Sequence, residues 1–230
     1  RNNIIIWEKG SSKKIGYRHT KGKKNFQSLI NSEKKTISIE KVLNYNQNWG
    51  LIFSLDERAF YLIDKIKVNT NSLRNYFPEI SQGLIAYDKY RGQSDEIIKQ
   101  RKYHYNTKIK STLKPWLWGS DINRYSVIWN KQEYIDYCDG IANPRQPKFF
   151  KGKIILIREI TNPSIFAGYT DLELYNDPSI IIILENKSES IFALLGILNS
   201  KLATYFHFKN SPEATKGAFP KILVKDIKEF

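Results

Sequence analysis

The sequence has no methionine and a single cysteine, Cys138, so no intrachain disulfide can form. Its three histidines, His19, His104 and His207, stand far apart and offer no zinc-ligand spacing. Long hydrophobic runs are missing as well. Ile180-Ile181-Ile182-Ile183-Leu184 is among the longest, far below the roughly 18 residues that cross a bilayer, and no signal-peptide pattern opens the chain. These absences predict a soluble protein of a reducing compartment, the cytoplasm, with no membrane partner. GxGxxG and GxxxxGKS/T turns, a serine-hydrolase elbow, a paired Cys and His and an HExxH helix are all absent, which leaves the familiar nucleotide-dependent and hydrolytic machineries unsupported. With Arg1 in first place and no methionine, the chain reads as a fragment of something longer.

What is present is a large cationic excess on a globular composition. The 230 residues are 41% hydrophobic and 26% charged, enough for one sizeable core and a smaller lobe. There are 37 Lys and Arg against 23 Asp and Glu, a formal charge of +14, which favours a polyanionic partner. The excess is uneven: residues 1–50 carry 11 basic and 3 acidic side chains, whereas residues 171–230 carry 7 and 8. Phosphate contacts are therefore expected from the first three quarters of the chain, and structural support from the last. The densest cluster is Lys9, Lys13, Lys14, Arg18, Lys21, Lys23 and Lys24, interrupted by glycine and serine, and it reads as a solvated loop or a phosphate contact.

The patterning predicts an α+β fold: mostly antiparallel short strands, a capped N-terminal helix and one long amphipathic C-terminal helix. Strands are expected at Asn3–Glu8, Thr36–Glu40, Lys114–Trp118, Ser126–Trp129, Lys153–Arg158, Ile165–Tyr169 and Ser179–Leu184. Ser54-Leu55-Asp56-Glu57 reads as a capping box that starts a helix running to about Lys67, with Phe60, Ile63 and Ile66 on its buried stripe. Asn186-Lys187-Ser188-Glu189 reads as a second start signal, for a helix that ends near Lys209. Trp116 and Trp118 share one side of a strand and are expected in the core.

One constellation suggests metal chemistry. Asp177, then Glu185-Asn186-Lys187 after a strand, has the acid, acid-x-Lys form with which nucleases hold a divalent ion. The same residues serve as a turn and a helix start, which is the plainer reading.

Several stretches together resemble the TaqI-like C-terminal specificity domain of adenine-N6 DNA methyltransferases and of fused type II restriction-modification enzymes. They begin with Ile80-Ser81-Gln82-Gly83-Leu84, similar to the family's entry strand, and continue through Leu113-Lys114-Pro115-Trp116-Leu117-Trp118-Gly119-Ser120-Asp121-Ile122-Asn123-Arg124-Tyr125. Pro147 to Ile160 resembles a strand that ends on an arginine, here Arg158. Leu194-Leu195-Gly196-Ile197-Leu198-Asn199-Ser200-Lys201-Leu202 resembles the family's most specific helix, and Lys216-Gly217-Ala218-Phe219-Pro220 follows it. The order holds over about residues 77–230. The resemblance implies three segments: residues 1–48 as the tail of a methyltransferase catalytic domain with its linker, 49–76 as a connecting helix, and 77–230 as the DNA target-recognition domain. The NPPY tetrapeptide and the AdoMet-binding glycine motif are absent. Asn143-Pro144-Arg145-Gln146 shares only its first two letters with the former.

The resemblance thus implies a module that reads double-stranded DNA and positions an adenine for a catalytic methyltransferase domain of the same chain. The fragment itself would hold no cofactor and have no enzymatic activity. Its parent would use S-adenosylmethionine, and magnesium if it is also an endonuclease. Base reading needs Arg, Asn or Gln on loops that can enter the major groove, and Tyr87-Asp88-Lys89-Tyr90-Arg91-Gly92-Gln93 meets that need, as does Asn143-Pro144-Arg145-Gln146-Pro147-Lys148. Arg91, Gln93, Arg145, Gln146 and Asn162 are the candidates for base reading, and Lys89, Tyr90, Lys148, Lys13 and Lys14 for phosphate contact. Asn199 reads as structural, an amide bonded to nearby backbone. The competing readings are a metal-dependent nuclease built on Asp177, Glu185 and Lys187, and an RNA-binding domain, which would share the charge but shows no RNP or KH signature.

Overall fold

The structure is a computed structural model that describes residues 10, 12–20, 25–44, 49–215 and 219–230. The expected strand Asn3–Glu8, the cluster members Lys9, Lys21, Lys23 and Lys24, and Lys216 to Ala218 lie outside the described residues. The chain divides into two compact units, Arg1–Val68 and Asn69–Phe230.

In the first unit, strands β1 (Lys14–Arg18) and β2 (Lys34–Ser38) form an antiparallel pair with Ile15 opposite Ile37. Helix α1 (Phe26–Ile30) lies between them in sequence, capped by the Asn25 side chain. Helices α2 (Ile39–Asn44), α3 (Trp49–Ile52) and α4 (Glu57–Lys67) follow. Lys13 and Lys14 are exposed at the start of the pair. Helix α4 ends at Lys67 as expected and buries Phe60 and Ile63, while Ile66 is only partly buried, and its cap is Asp56 and not Ser54. The Asp56 carboxylate accepts the Ala59 amide at 2.8 Å, while the Ser54 hydroxyl turns back to the Leu51 carbonyl. An ionised acceptor next to the positive end of the helix outcompetes a neutral one two residues earlier.

The second unit is built on a five-stranded sheet in the order β3-β11-β8-β9-β6 and a four-stranded sheet in the order β10-β5-β7-β4. The strands are β3 (Ile80–Gln82), β4 (His104–Tyr105), β5 (Lys114–Leu117), β6 (Tyr125–Ser126), β7 (Tyr134–Ile135), β8 (Ile154–Arg158), β9 (Ala167–Thr170), β10 (Tyr175–Asn176) and β11 (Ile180–Leu184). All pairings are antiparallel except β10 with β5 and β6 with β9. The apolar runs of β8 and β11 are explained by burial on both faces. Ile155, Ile157, Ile181 and Ile183 point to one core, together with Ile191, Leu194, Leu195, Leu198 and Ile227 from the helices. Ile154, Leu156, Ile180 and Ile182 point to the other, together with Trp116, Leu117, Ile135, Phe150 and Tyr175 of the second sheet and its loops. Alternation with period two thus divides one continuous run between two cores.

The expectation of α+β holds, with one correction at its C-terminal end. The long helix is two helices, α6 (Ile191–Leu198) and α7 (Lys201–Asn210), set at 64° to each other. Asn186 does not start it. Ser190 caps α6 through the Ala193 amide, and Ser200 caps α7 through the Ala203 amide. Asn199 sits at the break, buried, with its amide bonded to both the N–H and the carbonyl of Ala167 on β9 and to the Leu195 carbonyl. A polar side chain that satisfies a strand's backbone and a serine that supplies a fresh N-cap together favour a bend over continuation. The short helices α5 (Asp95–Lys99) and α8 (Val224–Lys228) complete the unit. No single helix among the described residues is long and apolar enough to cross a membrane.

Candidate nucleic-acid interface

The loop from Ala86 to Gln93 is held by the side chain of Gln93. Its Oε1 accepts the Asp88 amide at 2.8 Å, and its Nε2 donates to the carbonyls of Ala86 at 2.9 Å and Gly140 at 2.7 Å. Between those anchors, residues Lys89–Arg91 make one 3-10 turn, capped by Asp88 through the Tyr90 amide. Gly92 closes the turn at φ 83°, a left-handed conformation that a side chain would strain. The outcome is a fixed hairpin-like knuckle with Lys89, Tyr90 and Arg91 outside. Tyr90 is 87% exposed. The Arg91 guanidinium is half exposed and loosely paired with Asp88 at 3.7 Å.

The second candidate loop is stitched to the first. Ile85 and Asn143 form an antiparallel bridge, and the Ala142 amide donates to the Ala86 carbonyl. The Tyr137 hydroxyl donates to the Arg145 carbonyl, and Arg145 itself bonds the Asn143 side chain and the Pro144 carbonyl. Gly140 has room for no side chain, because a Cβ there would run into the Tyr103 ring. Gln146 and Lys148 are exposed, the latter paired with Glu79 at 3.0 Å. The structure therefore brings Lys89, Tyr90, Arg91, Gln93, Arg145, Gln146 and Lys148 onto two adjoining loops. Asn162 is exposed in the turn between β8 and β9, away from the bonds that join those loops. Lys13 and Lys14 belong to the other unit.

Beneath the knuckle runs a row of rings. Tyr87 stacks on Tyr103 with centroids 5.6 Å apart, packs on His104 at 5.4 Å, and His104 meets the edge of Trp116 at 4.7 Å. Trp116 in turn contacts Trp118 at 6.1 Å. The Tyr87 hydroxyl accepts the Tyr103 amide at 2.8 Å and lies 2.8 Å from Nδ1 of His104. Burial, with the Arg101 charge as a smaller contribution, lowers the His104 pKa to about 4, so the ring is neutral at neutral pH. Burial likewise raises the Tyr87 pKa to about 12 and keeps its proton. One hydrogen bond joins that hydroxyl and Nδ1. Trp118 corrects the expectation of a core residue. It is 40% exposed, and its indole N–H donates to Glu133 at 2.7 Å. Glu133 is itself buried and also holds Arg101 at 2.6 Å. Neither Arg101 nor His104 stands out in the sequence, and Tyr87 does so only as the first residue of the candidate loop, because their contacts form only when the chain folds.

The nuclease constellation does not assemble. Asp177 precedes β11 and Glu185 follows it, so a five-residue strand, about 16 Å long, separates them. The Asp177 carboxylate accepts the amide and hydroxyl of Ser179, and burial shifts its pKa upward against those bonds. Glu185 pairs with Lys153 at 3.4 Å. No group of three or more His, Cys, Asp or Glu suited to a metal occurs among the described residues.

Two known proteins are similar to this chain in sequence. A protein of Methanocaldococcus jannaschii, named as a candidate type II restriction enzyme and methyltransferase, is 26% identical over 185 residues, which cover 78% of this chain and 15% of that protein. The mRNA 3'-end-processing protein RNA14 of Debaryomyces hansenii is 24% identical over 146 residues, 58% of this chain and 20% of that protein. The chain thus spans no more than a fifth of either relative's length. The TaqI-like C-terminal specificity domain matches residues 114–230, from β5 through both C-terminal helices to the last residue. With half its length matched in this way, the chain belongs to the TaqI-like C-terminal specificity domain family.

Proposed function

We propose that this chain is the sequence-reading module for double-stranded DNA of a restriction-modification enzyme, and that it serves an adenine-specific methyltransferase domain carried by the same parent chain. Its membership of a specificity-domain family is the observation that carries this reading. The geometry supports it at the level of parts. A knuckle stapled by Gln93 presents Arg91, whose planar guanidinium can bond guanine O6 and N7 together. Lys89 and Tyr90 flank it and suit phosphate oxygens. Gln93 changes role in this account: its amide is committed to the loop, so it positions Arg91 and does not read adenine. Arg145 and Gln146 remain candidates for base contact from the adjoining loop, Asn162 for base contact from its own turn, and Lys148, Lys13 and Lys14 for phosphate.

Catalysis belongs to the parent, which would supply the S-adenosylmethionine site, and a magnesium site if it also cleaves. In such an enzyme the target base must leave the stack, and the reading lobe holds the flanking duplex while it does. The test is equilibrium binding to duplex DNA by fluorescence anisotropy at several salt concentrations. Affinity falls steeply with salt, because each neutralised phosphate releases counterions, and duplex RNA of the same sequence competes poorly. Salt-independent binding, or a preference for the RNA, would refute the reading. The cytoplasm, where the parent would meet DNA, is the compartment this function requires.

A further inference from the structure

The β1–β2 ribbon of the first unit carries a row of cations on one face. Strand alternation places Ile15, Tyr17 and Ile37 on the opposite face, where Tyr17 packs on the Phe53 ring at 4.7 Å. The cationic face consists of Lys14, Gly16 and Arg18 from β1, opposite Ser38, Thr36 and Lys34 from β2. All of these but Ser38 are exposed. A Cβ on Gly16 would stand 2.8 Å from Cε of Lys34 and 3.6 Å from its Nζ, so the lysine side chain lies over the glycine. Its ammonium thus occupies the middle of the row, and Lys14 and Arg18 stand two residues, about 7 Å, to either side of Gly16 along β1. Arg18 and Lys34 are directly opposite each other, a like-charged pair that destabilises a ribbon. None of Lys14, Arg18 and Lys34 has an acidic partner among the described residues. In the second unit, by contrast, Lys148, Lys153 and Lys221 are each paired with a glutamate.

We propose that this face is a seat for the duplex backbone, in which Lys14, Lys34 and Arg18 hold a run of phosphates and Gly16 positions the central lysine. Repulsion within the row is unfavourable to the free fold and is relieved by a polyanion laid along it. Two of the three cations are lysines, point charges that grip phosphate without selecting a base, so the seat adds affinity and no sequence choice. The inference rests on the proposed DNA reading, to which it adds Arg18, Lys34 and the role of Gly16. Lys35 provides an internal comparison. It follows Lys34 in sequence and is also exposed, but it faces the other side of the ribbon, opposite Tyr17.

Its test measures binding of the intact chain to random-sequence duplex DNA by fluorescence anisotropy over a range of salt concentrations. Each phosphate contact contributes about 0.9 to the slope of log K against log salt. Lys34→Gln should therefore make the slope shallower by about 0.9, and Lys14→Gln, Arg18→Gln and Lys34→Gln together by about 2.7, while Lys35→Gln leaves it unchanged. The side chains are exposed, so the variants should melt no lower than the unmodified chain, and Lys34→Gln slightly higher once the pair with Arg18 is relieved. Lys34→Arg keeps the charge and should keep the slope. Equal slopes in the unmodified chain and the triple variant would overturn the inference and leave DNA reading intact. Lysines that only guard the ribbon against pairing with other strands give that result. Equal losses in Lys34→Gln and Lys35→Gln would also overturn it, since charge would then act regardless of face. Failure of the unmodified chain to bind any duplex would remove both readings. Binding to phosphatidylserine vesicles that the triple variant loses, with its duplex slope unchanged, would assign the face to lipid and likewise overturn the inference.

Discussion

Gln93 and Arg91 stand two positions apart and have opposite duties. The Gln93 amide makes three hydrogen bonds to backbone, so Gln93→Ala strands the Asp88 amide and the Gly140 carbonyl and removes one of two donors to the Ala86 carbonyl. Unsatisfied groups of this kind cost roughly 1–3 kcal/mol. Gln93→Ala should therefore lower stability by about that amount in urea unfolding and loosen the knuckle, whereas Arg91→Ala, on a half-exposed side chain, should stay within about 0.5 kcal/mol of the parent. Equal stability of the two variants would contradict the assignment of roles. His104 makes a second prediction at this scale. Its folded pKa is about 4 against an ordinary value of 6.5, so the unfolded chain binds the extra proton between those values. Stability is full above about pH 6.5 and falls as pH drops toward 4, with a slope from this group approaching ~1.4 kcal/mol per pH unit. The His207 pKa, lowered chiefly by burial, adds in the same direction, while Asp177, raised by burial, opposes it. The histidine ring protons followed by NMR should show His104 titrating near 4. A midpoint at 6.5 would refute its burial.

Most elements could be read from residues, and the failures have common causes. Strands β5, β8, β9 and β11 fall within a residue or two of their expected spans, because apolar density and β-branching survive into the folded state as burial. Helix α4 was legible in its stripe and end but not in its cap, since Ser54 and Asp56 are both good cap residues and only tertiary structure selects between them. The apolar spacing of the C-terminal segment runs through the break and so predicts one continuous helix. What divides it is Asn199, whose amide finds the backbone of Ala167 32 positions away, a contact with no local signature. The Asn199 amide is buried and three of its bonds go to backbone, so Asn199→Ala should cost about 2–4 kcal/mol, by loss of bonds and a small cavity. Binding of duplex DNA at temperatures where the variant is folded should be unchanged. Altered affinity in the folded variant would assign the helix break a part in recognition. Of the candidate interface, the two loops could be named from composition, but not their union. Nothing local predicts that Gln93 reaches Gly140, or that Tyr87, His104 and Trp116 converge from three segments.

At the scale of the molecule, the two units differ in charge. The first, Arg1–Val68, carries 14 basic and 6 acidic residues, and the second, Asn69–Phe230, carries 23 and 17. The larger unit has the smaller excess, and its structured cations are partly spent on pairs such as Lys148 with Glu79, Lys221 with Glu159 and Arg74 with Glu229. In the proposed reading, bulk electrostatics would hold DNA without choosing among sequences, and choice would fall to a few side chains. The central claim is that the knuckle from Ala86 to Gln93 reads bases through Arg91. The measurement that meets it most directly is selection from a random-sequence duplex library by the intact chain, run in parallel with Arg91→Ala and Lys89→Ala. The account predicts a short enriched motif for the parent, the same motif with one position relaxed and about 1–3 kcal/mol lost there for Arg91→Ala, and uniformly weaker binding with an unchanged motif for Lys89→Ala. An identical motif in the parent and in Arg91→Ala would contradict it.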